Sequence, residues 1–352
     1  MKRTKSTQNC KDKIFCTDKS QEKIRNLIRI SQINHLIRDY LWHLNFVEID
    51  LPILSRYNAI APINRYTTKK SGKNQFELKI SNAEDMKKAI TEGFDKIFHI
   101  GKCFRNEKID DYHQPEFTQL AIAQSYIDYE DGMKLVENLI SNLKLSHGNL
   151  FFFKNGRRID LTPPWQRIPV RKFLMDMLDI DIEDYKSPIE LFRNIKKKGI
   201  KISSKFKYGG FLKMSFLVDQ LINIAVKQIS KPIFLIEYPH YLAGPAEEIQ
   251  NNPKYKKRSE LFISGIELAN VSNTQNNPDK LIKWYTETVN LRKKKGDLHI
   301  RTDVEYLNAV KRSPRPCVTI GMGLERLYLF ILNLRTLEES LLFPFRTENE
   351  YD

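Results

Sequence analysis

The 352-residue chain carries 58 Lys and Arg against 43 Asp and Glu, a formal net charge of +15, and is 41% hydrophobic and 29% charged. That balance describes a globular protein of one large domain, or one domain with a small insertion. No apolar run reaches the ~18–20 residues of a helical membrane span, and the Lys-rich N-terminus lacks the apolar core of a signal peptide, which excludes both classes. The four cysteines (Cys10, Cys16, Cys103, Cys317) are too scattered for a disulfide framework, and Cys10 and Cys16 have no histidine near enough for zinc. A reducing, cytoplasmic location is expected. The basic excess suits a polyanion such as RNA, but it is first a solubility property.

In chain order, residues 1–20 read as a disordered basic tail. Ile24, Leu27, Ile28, Ile33, Leu36, Ile37, Tyr40, Leu41 and Leu44 then recur at helical spacing and predict a long amphipathic helix. Phe46–Leu51 reads as a strand stopped by Pro52. Phe76–Ile80 alternates as a strand, Ser81-Asn82 offers a cap to a helix over 83–92, and Gly93 ends it. The stretch from Ile97 to Tyr126 predicts an antiparallel hairpin. Arg105 and Glu107, two apart, are expected on one face of its first strand, followed by a polar loop with His113 and a second strand entered through Phe117. An arginine, a carboxylate, a histidine and an aromatic ring aimed at one ligand match the parts of a nucleotide.

Further helices are predicted at 131–145, 278–295, 304–311 and 324–334, and a hairpin at 151–158 turning on Asn155-Gly156. Residues 168–230 read as a helical insertion with a basic cluster from Lys196 to Lys207. Strands are predicted at 233–238, 259–263, 266–270 and 318–322. Helices around long-range strands, without a βαβ rhythm, argue for an α+β fold with an antiparallel sheet flanked by helices. The absence of a glycine-rich phosphate loop removes the P-loop and dinucleotide folds.

Two more clusters carry chemistry. Glu260 and Glu267 project from neighbouring apolar strands, an arrangement that is costly without a positive partner, and Mg2+ takes carboxylates together with nucleotide phosphates. Ion pairs with Lys or Arg are the competing explanation. Gly321-Met322-Gly323-Leu324-Glu325-Arg326 lets the backbone approach a ligand and sets Arg326 at a helix start.

Together these pieces resemble the three signature motifs of class II aminoacyl-tRNA synthetases, with the helix, strand and Pro52 as the dimerisation element. The Arg-Asn-Glu, His-x-Pro-Glu-Phe-Thr and Glu-Leu-Ala-Asn strings are most similar to the lysyl-tRNA synthetase branch. The resemblance implies a homodimer and one catalytic domain over 21–352, insertion included. Arg105 would hold the ATP α-phosphate and the amino-acid carboxylate, Glu107 the adenine amine, and His113 the β- and γ-phosphates. Phe117 and Arg326 would sandwich the base, with Glu260 and Glu267 on Mg2+. Glu267 and Asn270 would contact the amino acid. Arg105 and Arg326 would be the catalytic pair.

The sequence departs from that branch in two ways. The branch begins with an anticodon-binding OB domain, for which the tail is too short; this resembles the elongation factor P lysine ligase and implies a protein or small-molecule acceptor first, tRNA second, and a non-catalytic sensor of amino acid or tRNA third. The acidic and tyrosine positions of the lysine pocket fall on Ala83, Ala121, Ala123 and Thr274, which implies an enlarged, near-neutral pocket with Gln119, Gln124, Asn273 and Gln275 as polar candidates and a carboxylate possible from Glu84, Glu247 or Glu248.

Overall fold

The computed structural model describes residues 18–56, 64–69, 75–143, 151–154, 156–202, 213–294, 300 and 302–345. Most of the expected tail therefore lies outside the described residues, but Asp18–Ser20 already belong to the first helix, α1 (Asp18–His43). Its core face is Ile30, Ile33, Ile37 and Leu41, one turn apart, while Ile24 and Ile28 are exposed. The predicted helical face therefore divides into a buried half and a solvent-facing half.

Eight strands form the central sheet: β1 (Val47–Glu48), β2 (Lys96–Phe104), β3 (Glu116–Ser125), β4 (Gln166–Pro169), β5 (Ile233–Ile236), β6 (Arg258–Ile263), β7 (Ile266–Thr274) and β8 (Cys317–Gly323). Their order is β1-β2-β3-β8-β7-β6-β5-β4. The six inner strands pair antiparallel, and the two edge strands join parallel, β1 to β2 and β4 to β5. The sheet is thus mixed rather than purely antiparallel. The predicted strand at Phe46–Leu51 shortens to β1, and the predicted insertion contributes β4 to the sheet before its helices begin.

One face of the sheet is sealed by α1, α3 (Tyr129–Asn142) and α9 (Leu324–Ile331), through Ile33, Ile37, Val136, Leu139, Leu327 and the inward residues of β3, β7 and β8. Helix α3 lies so close that a Cβ on Gly132 would sit 2.6 Å from Val271 and 2.8 Å from Val318, so only glycine fits there. The other face carries α2 (Ala83–Thr91) over β3 and β8, packing Met86 and Ile90 on Ala121, Ala123 and Cys317. The insertion helices α4 (Val170–Leu178), α5 (Pro188–Lys197) and α6 (Met214–Ala225) have their own core and share it with Ile233, Leu235 and Phe262 of the sheet. A helical pair, α7 (Pro278–Lys294) and α8 (Val304–Arg312), packs around Tyr285 and Tyr306 beside α2. Between α2, the insertion and this pair the second face of the sheet stays open. Among the described residues no helix is long and apolar enough to cross a membrane.

Candidate active site

The open face is the floor of a single cavity of about 1720 Å³. It is lined by Ala83, Arg105, Glu107, His113, Phe117, Ala121, Glu260, Glu267, Asn270, Thr274 and Arg326, residues drawn from almost the whole length of the chain. The fold brings together all the predicted site residues except Ala123. That residue shares the sheet face of Ala121 but lies beneath α2, fully buried against Met86 and Ile90, so its expected place in an amino-acid pocket is corrected to a core position.

The hairpin β2–β3 pairs over its full length, Phe104 opposite Glu116, but Arg105 and Glu107 stand just beyond β2 rather than on it. The strand ladder gives way to local bonds there: the Arg105 N–H donates to the Pro115 carbonyl at 2.8 Å, and that of Glu107 to the Arg105 carbonyl at 2.8 Å. The expected strand-face alternation is replaced by this tight turn, which still sends both side chains into the cavity. The Arg105 guanidinium lies over the Phe117 ring, 4.9 Å from its centroid, and its Nε donates to the Ile80 carbonyl at 3.2 Å. Stacking and a backbone anchor hold the fork in one orientation.

His113 is held between two partners. Its Nδ1 lies 2.8 Å from Asp110 Oδ1, and Arg326 Nη2 lies 3.0 Å from its Nε2. Arg326 also donates to the Glu267 carbonyl at 2.9 Å and stands 3.6 Å from the Glu267 carboxylate. The residue before it, Glu325, is buried; burial pushes its carboxyl up while the Thr118 N–H pulls it back.

Glu267 and Asn270 are three apart on β7, a spacing that would normally send them to opposite faces. They share the cavity because the β6–β7 register slips by one residue: Leu261 pairs with Ala269, but Phe262 pairs with Glu267, leaving Leu268 as the extra residue of a bulge. Glu260 faces Asn270 directly across the ladder and accepts from its Nδ2 at 3.3 Å. The Tyr238 hydroxyl donates to the other Glu260 oxygen at 2.5 Å, and Arg258, two residues back on the same strand, pairs with the carboxylate. Burial raises the Glu260 carboxyl above its ordinary value, Arg258 opposes that, and Glu267 adds to it. Arg258, which stacks 5.0 Å from the Tyr238 ring centroid, was missed in the sequence. The signal was present as a basic residue at i−2 on a strand, hence on the same face as Glu260.

The polar candidates divide by strand parity. Gln119 lines the cavity, its Oε1 fixed by the Asn82 N–H at 3.0 Å and Asn82 Nδ2 at 3.1 Å. Asn273 is buried, bonding Glu247 rather than facing the cavity, and Gln275 beyond the strand accepts from the Asn277 N–H. Gln124 does not line the cavity either; it alternates with Ala121 and Ala123 and points away. Of the loop acids, Glu248 lines the cavity but pairs with Lys280 at 2.6 Å, and Glu247 pairs with Lys257 at 3.0 Å. Glu84 reaches the cavity from the first turn of α2, accepting from the Tyr285 hydroxyl at 2.5 Å.

As metal donors, Glu260 and Glu267 offer hard oxygens on adjacent strands of one face, the chemistry Mg2+ takes. Among the described residues no third acid, histidine or cysteine joins them, so the set suits a cation that shares its remaining positions with phosphates and water.

An antiparallel core with arginines from a hairpin and from a helix start, and paired carboxylates between them, is the catalytic architecture of class II synthetases. The chain belongs to that family: residues 8–347 match the family described as tRNA synthetases class II (D, K and N). It is 30% identical over 344 residues to the lysine–tRNA ligase of Thermotoga sp. (strain RQ2), covering 96% of this chain and 66% of that protein. The lysine–tRNA ligase of Thermotoga maritima is 29% identical over 96% of this chain and 66% of its own length. That of Clostridium acetobutylicum is 27% identical over 92% of this chain and 63% of its own. The chain thus spans about two thirds of the length of these relatives.

Proposed function

We propose that this chain activates an amino acid with ATP as the aminoacyl-adenylate, releasing pyrophosphate, and passes the aminoacyl group to tRNA. The observation that carries this reading is the convergence of Arg105, Glu107, His113, Phe117, Glu260, Glu267, Asn270 and Arg326 on one cavity. Attack of a carboxylate on the α-phosphorus needs no protein nucleophile, only alignment and neutralisation of growing charge. Arg105 is placed to bridge the amino-acid carboxylate and the α-phosphate, and its stack on Phe117 fixes the geometry. Glu107 accepts the adenine amine, Phe117 and Arg326 enclose the base, and His113 with Arg326 meets the outer phosphates. Glu260 and Glu267 would hold Mg2+, which supplies charge neutralisation on the phosphates when bound. Asn270, held by Glu260, is a donor for the amino acid.

The acceptor rests on the printed activity of the relatives, which are lysine–tRNA ligases. An acceptor protein such as elongation factor P is the competing outcome, and a non-catalytic sensor is disfavoured by the full set of ATP-facing groups. The exposed Ile24, Ile28, Trp42, Val47, Ile53 and Leu54 on α1 and the segment after it support a homodimer. Cytoplasmic location belongs to the same proposal.

The test is ATP–pyrophosphate exchange across a panel of amino acids, followed by offering the labelled amino acid to total tRNA and to elongation factor P separately. Exchange with one amino acid and label on tRNA are expected. Label on the protein alone would move the acceptor, and ATP binding without any exchange would refute activation.

A further inference from the structure

The helical insertion carries a surface that amino-acid activation does not use. Helix α5 is capped by Ser187, whose hydroxyl accepts the Glu190 N–H, and buries Leu191 and Ile195 in the core of the insertion. One residue turns a helix by about 100°, so Arg193, Lys196 and Lys197, at i, i+3 and i+4, share the opposite side. All three are exposed. Lys198 and Lys201 follow, which places five cations in the nine residues 193–201.

Little in the protein answers these charges. Among the described residues Lys198 pairs with Asp179 at 2.7 Å, and no ion pair forms at the other four; the Lys196 ammonium stands over the Phe192 ring, 4.7 Å from its centroid. The acids of the insertion are engaged elsewhere. Asp181 and Glu183 hold Arg171 at 2.6 and 3.0 Å, and Asp176 holds Lys172 at 2.7 Å. Glu190, one turn before Arg193, reaches back to accept the Lys186 N–H at 2.9 Å, and Asp184 lies ahead of the helix. The helix dipole favours cations in the last turn, which accounts for Lys196 and Lys197. It does not account for Arg193, a turn earlier, or for Lys201, beyond the end. Like charges at this spacing repel one another, and a polyanion lying along the face replaces that repulsion with attraction.

The face is continuous with the cavity. Helix α5 packs on α6, and Lys213, Ser215 and Phe216 at the start of α6 line the cavity wall. The sequence between Lys201 and Lys213 adds Lys205 and Lys207. From 193 to 201 no large apolar side chain is exposed, so the surface lacks the anchor on which a protein partner's binding energy depends. It suits phosphates instead.

Resting on tRNA as the acceptor, we propose that the Arg193–Lys201 face of α5 is a docking surface for the phosphate backbone of RNA, and holds the duplex stem of the acceptor while its 3′ end enters the cavity. Contacts to phosphates fix position and register without reading bases, and they weaken with salt.

Binding of fluorescently labelled total tRNA to the full chain across a salt series tests this, with Arg193→Gln, Lys196→Gln and Lys197→Gln combined. Each phosphate contact adds about 0.9 to the slope of log affinity against log salt, so the parent's slope should exceed the variant's by about 2.7. Between 50 and 200 mM salt the parent should therefore lose about 40-fold more affinity than the variant. The KM for tRNA in charging should rise in the variant, while ATP–pyrophosphate exchange and the melting temperature stay at the parent's values. Arg193→Lys with Lys196→Arg and Lys197→Arg, which keeps every charge, should restore both binding and slope. Equal slopes in parent and glutamine variant would overturn the proposal, as would a loss of affinity that the charge-retaining variant shares. Transfer to elongation factor P that falls in the glutamine variant, with tRNA binding unchanged, would reassign the surface to an acidic protein and end the RNA proposal. Charging of tRNA at the parent's KM in that variant would sink the surface and spare the acceptor. Binding of tRNA that needs these cations, without charging, would do the reverse.

Discussion

Glu325 accepts the backbone N–H of Thr118 through both carboxylate oxygens, at 2.8 and 2.9 Å. The reason lies in strand length. β8 ends at Gly323, opposite Gln119, so the outward N–H of Thr118 has no strand to pair with, and the first turn of α9 supplies the missing acceptor. The hairpin that carries Phe117 and the helix that carries Arg326 are thereby tied at one atom. Glu325→Ala should leave a part-buried N–H without its acceptor and cost about 1 kcal/mol, with a higher KM for ATP. Glu325→Gln, which keeps one acceptor, should cost less. Thermal melts and exchange kinetics check both, and equal losses from the two variants would contradict the account.

Arg105 should matter more for chemistry than for folding, because it is half-buried and is anchored only by a ring face and one carbonyl, those of Phe117 and Ile80. Arg105→Ala should lower exchange by roughly 10³-fold with a melting curve close to the parent, the scale seen when one stabilising donor is removed. Arg105→Lys should recover only a fraction, since a point charge cannot bridge two anions as a planar fork does. Retained exchange in the alanine variant would remove Arg105 from its assigned place.

Glu84 gives stability a pH dependence. Its carboxyl is raised from an ordinary 4.5 to about 7 by burial, so the folded state holds the proton more tightly than the unfolded chain does. The resulting stabilisation is complete below the ordinary value and is lost as pH rises through about 7, roughly 3 kcal/mol in all. Glu84→Gln cannot undergo this loss. Without ligand it should melt several degrees above the parent at pH 8, with the gap closing toward pH 4.5. A constant offset across that range would show that Glu84 does not titrate in this window.

The metal assignment has its own readout. Glu267 is half-exposed and among the described residues makes no buried ion pair, so Glu267→Gln should leave the melting temperature unchanged while raising the Mg2+ concentration needed for half-maximal exchange. Chelation should abolish exchange in the parent without unfolding it. A Mg2+ requirement unaltered in the variant would exclude Glu267 as a donor.

Trp42→Glu, on the exposed apolar end of α1, should convert a dimer to monomer in light scattering while leaving the core intact. A parent that is already monomeric would refute the homodimer.

Most of the fold and most members of the candidate site were legible in the sequence, because both rest on local patterns: apolar period, Arg-Asn-Glu beside a hairpin, Gly-x-Gly before a helix. What stayed hidden depended on partners distant in sequence. The aromatic wall opposite Glu84 comes from Tyr285 and Tyr306, some two hundred residues on, so no local rule could mark it as a pocket. Ala123 has the parity of a floor residue and loses it only because α2 lies on top. Asn273 and Gln124 failed for the opposite reason, since counting from their neighbours already assigns them to the other side.

The slipped register between β6 and β7 has a consequence for how this site can change. Asn270, Ser272 and Thr274 face the cavity, and Ala269 and Val271 the core, only because Leu268 is supernumerary. Loss of one residue from this stretch would act as a frameshift in space, turning either Glu267 or the Asn270–Thr274 row inward. Substitutions can therefore retune the site one side chain at a time, while the length of the Glu260–Asn270 hairpin is held constant by every residue downstream of it at once.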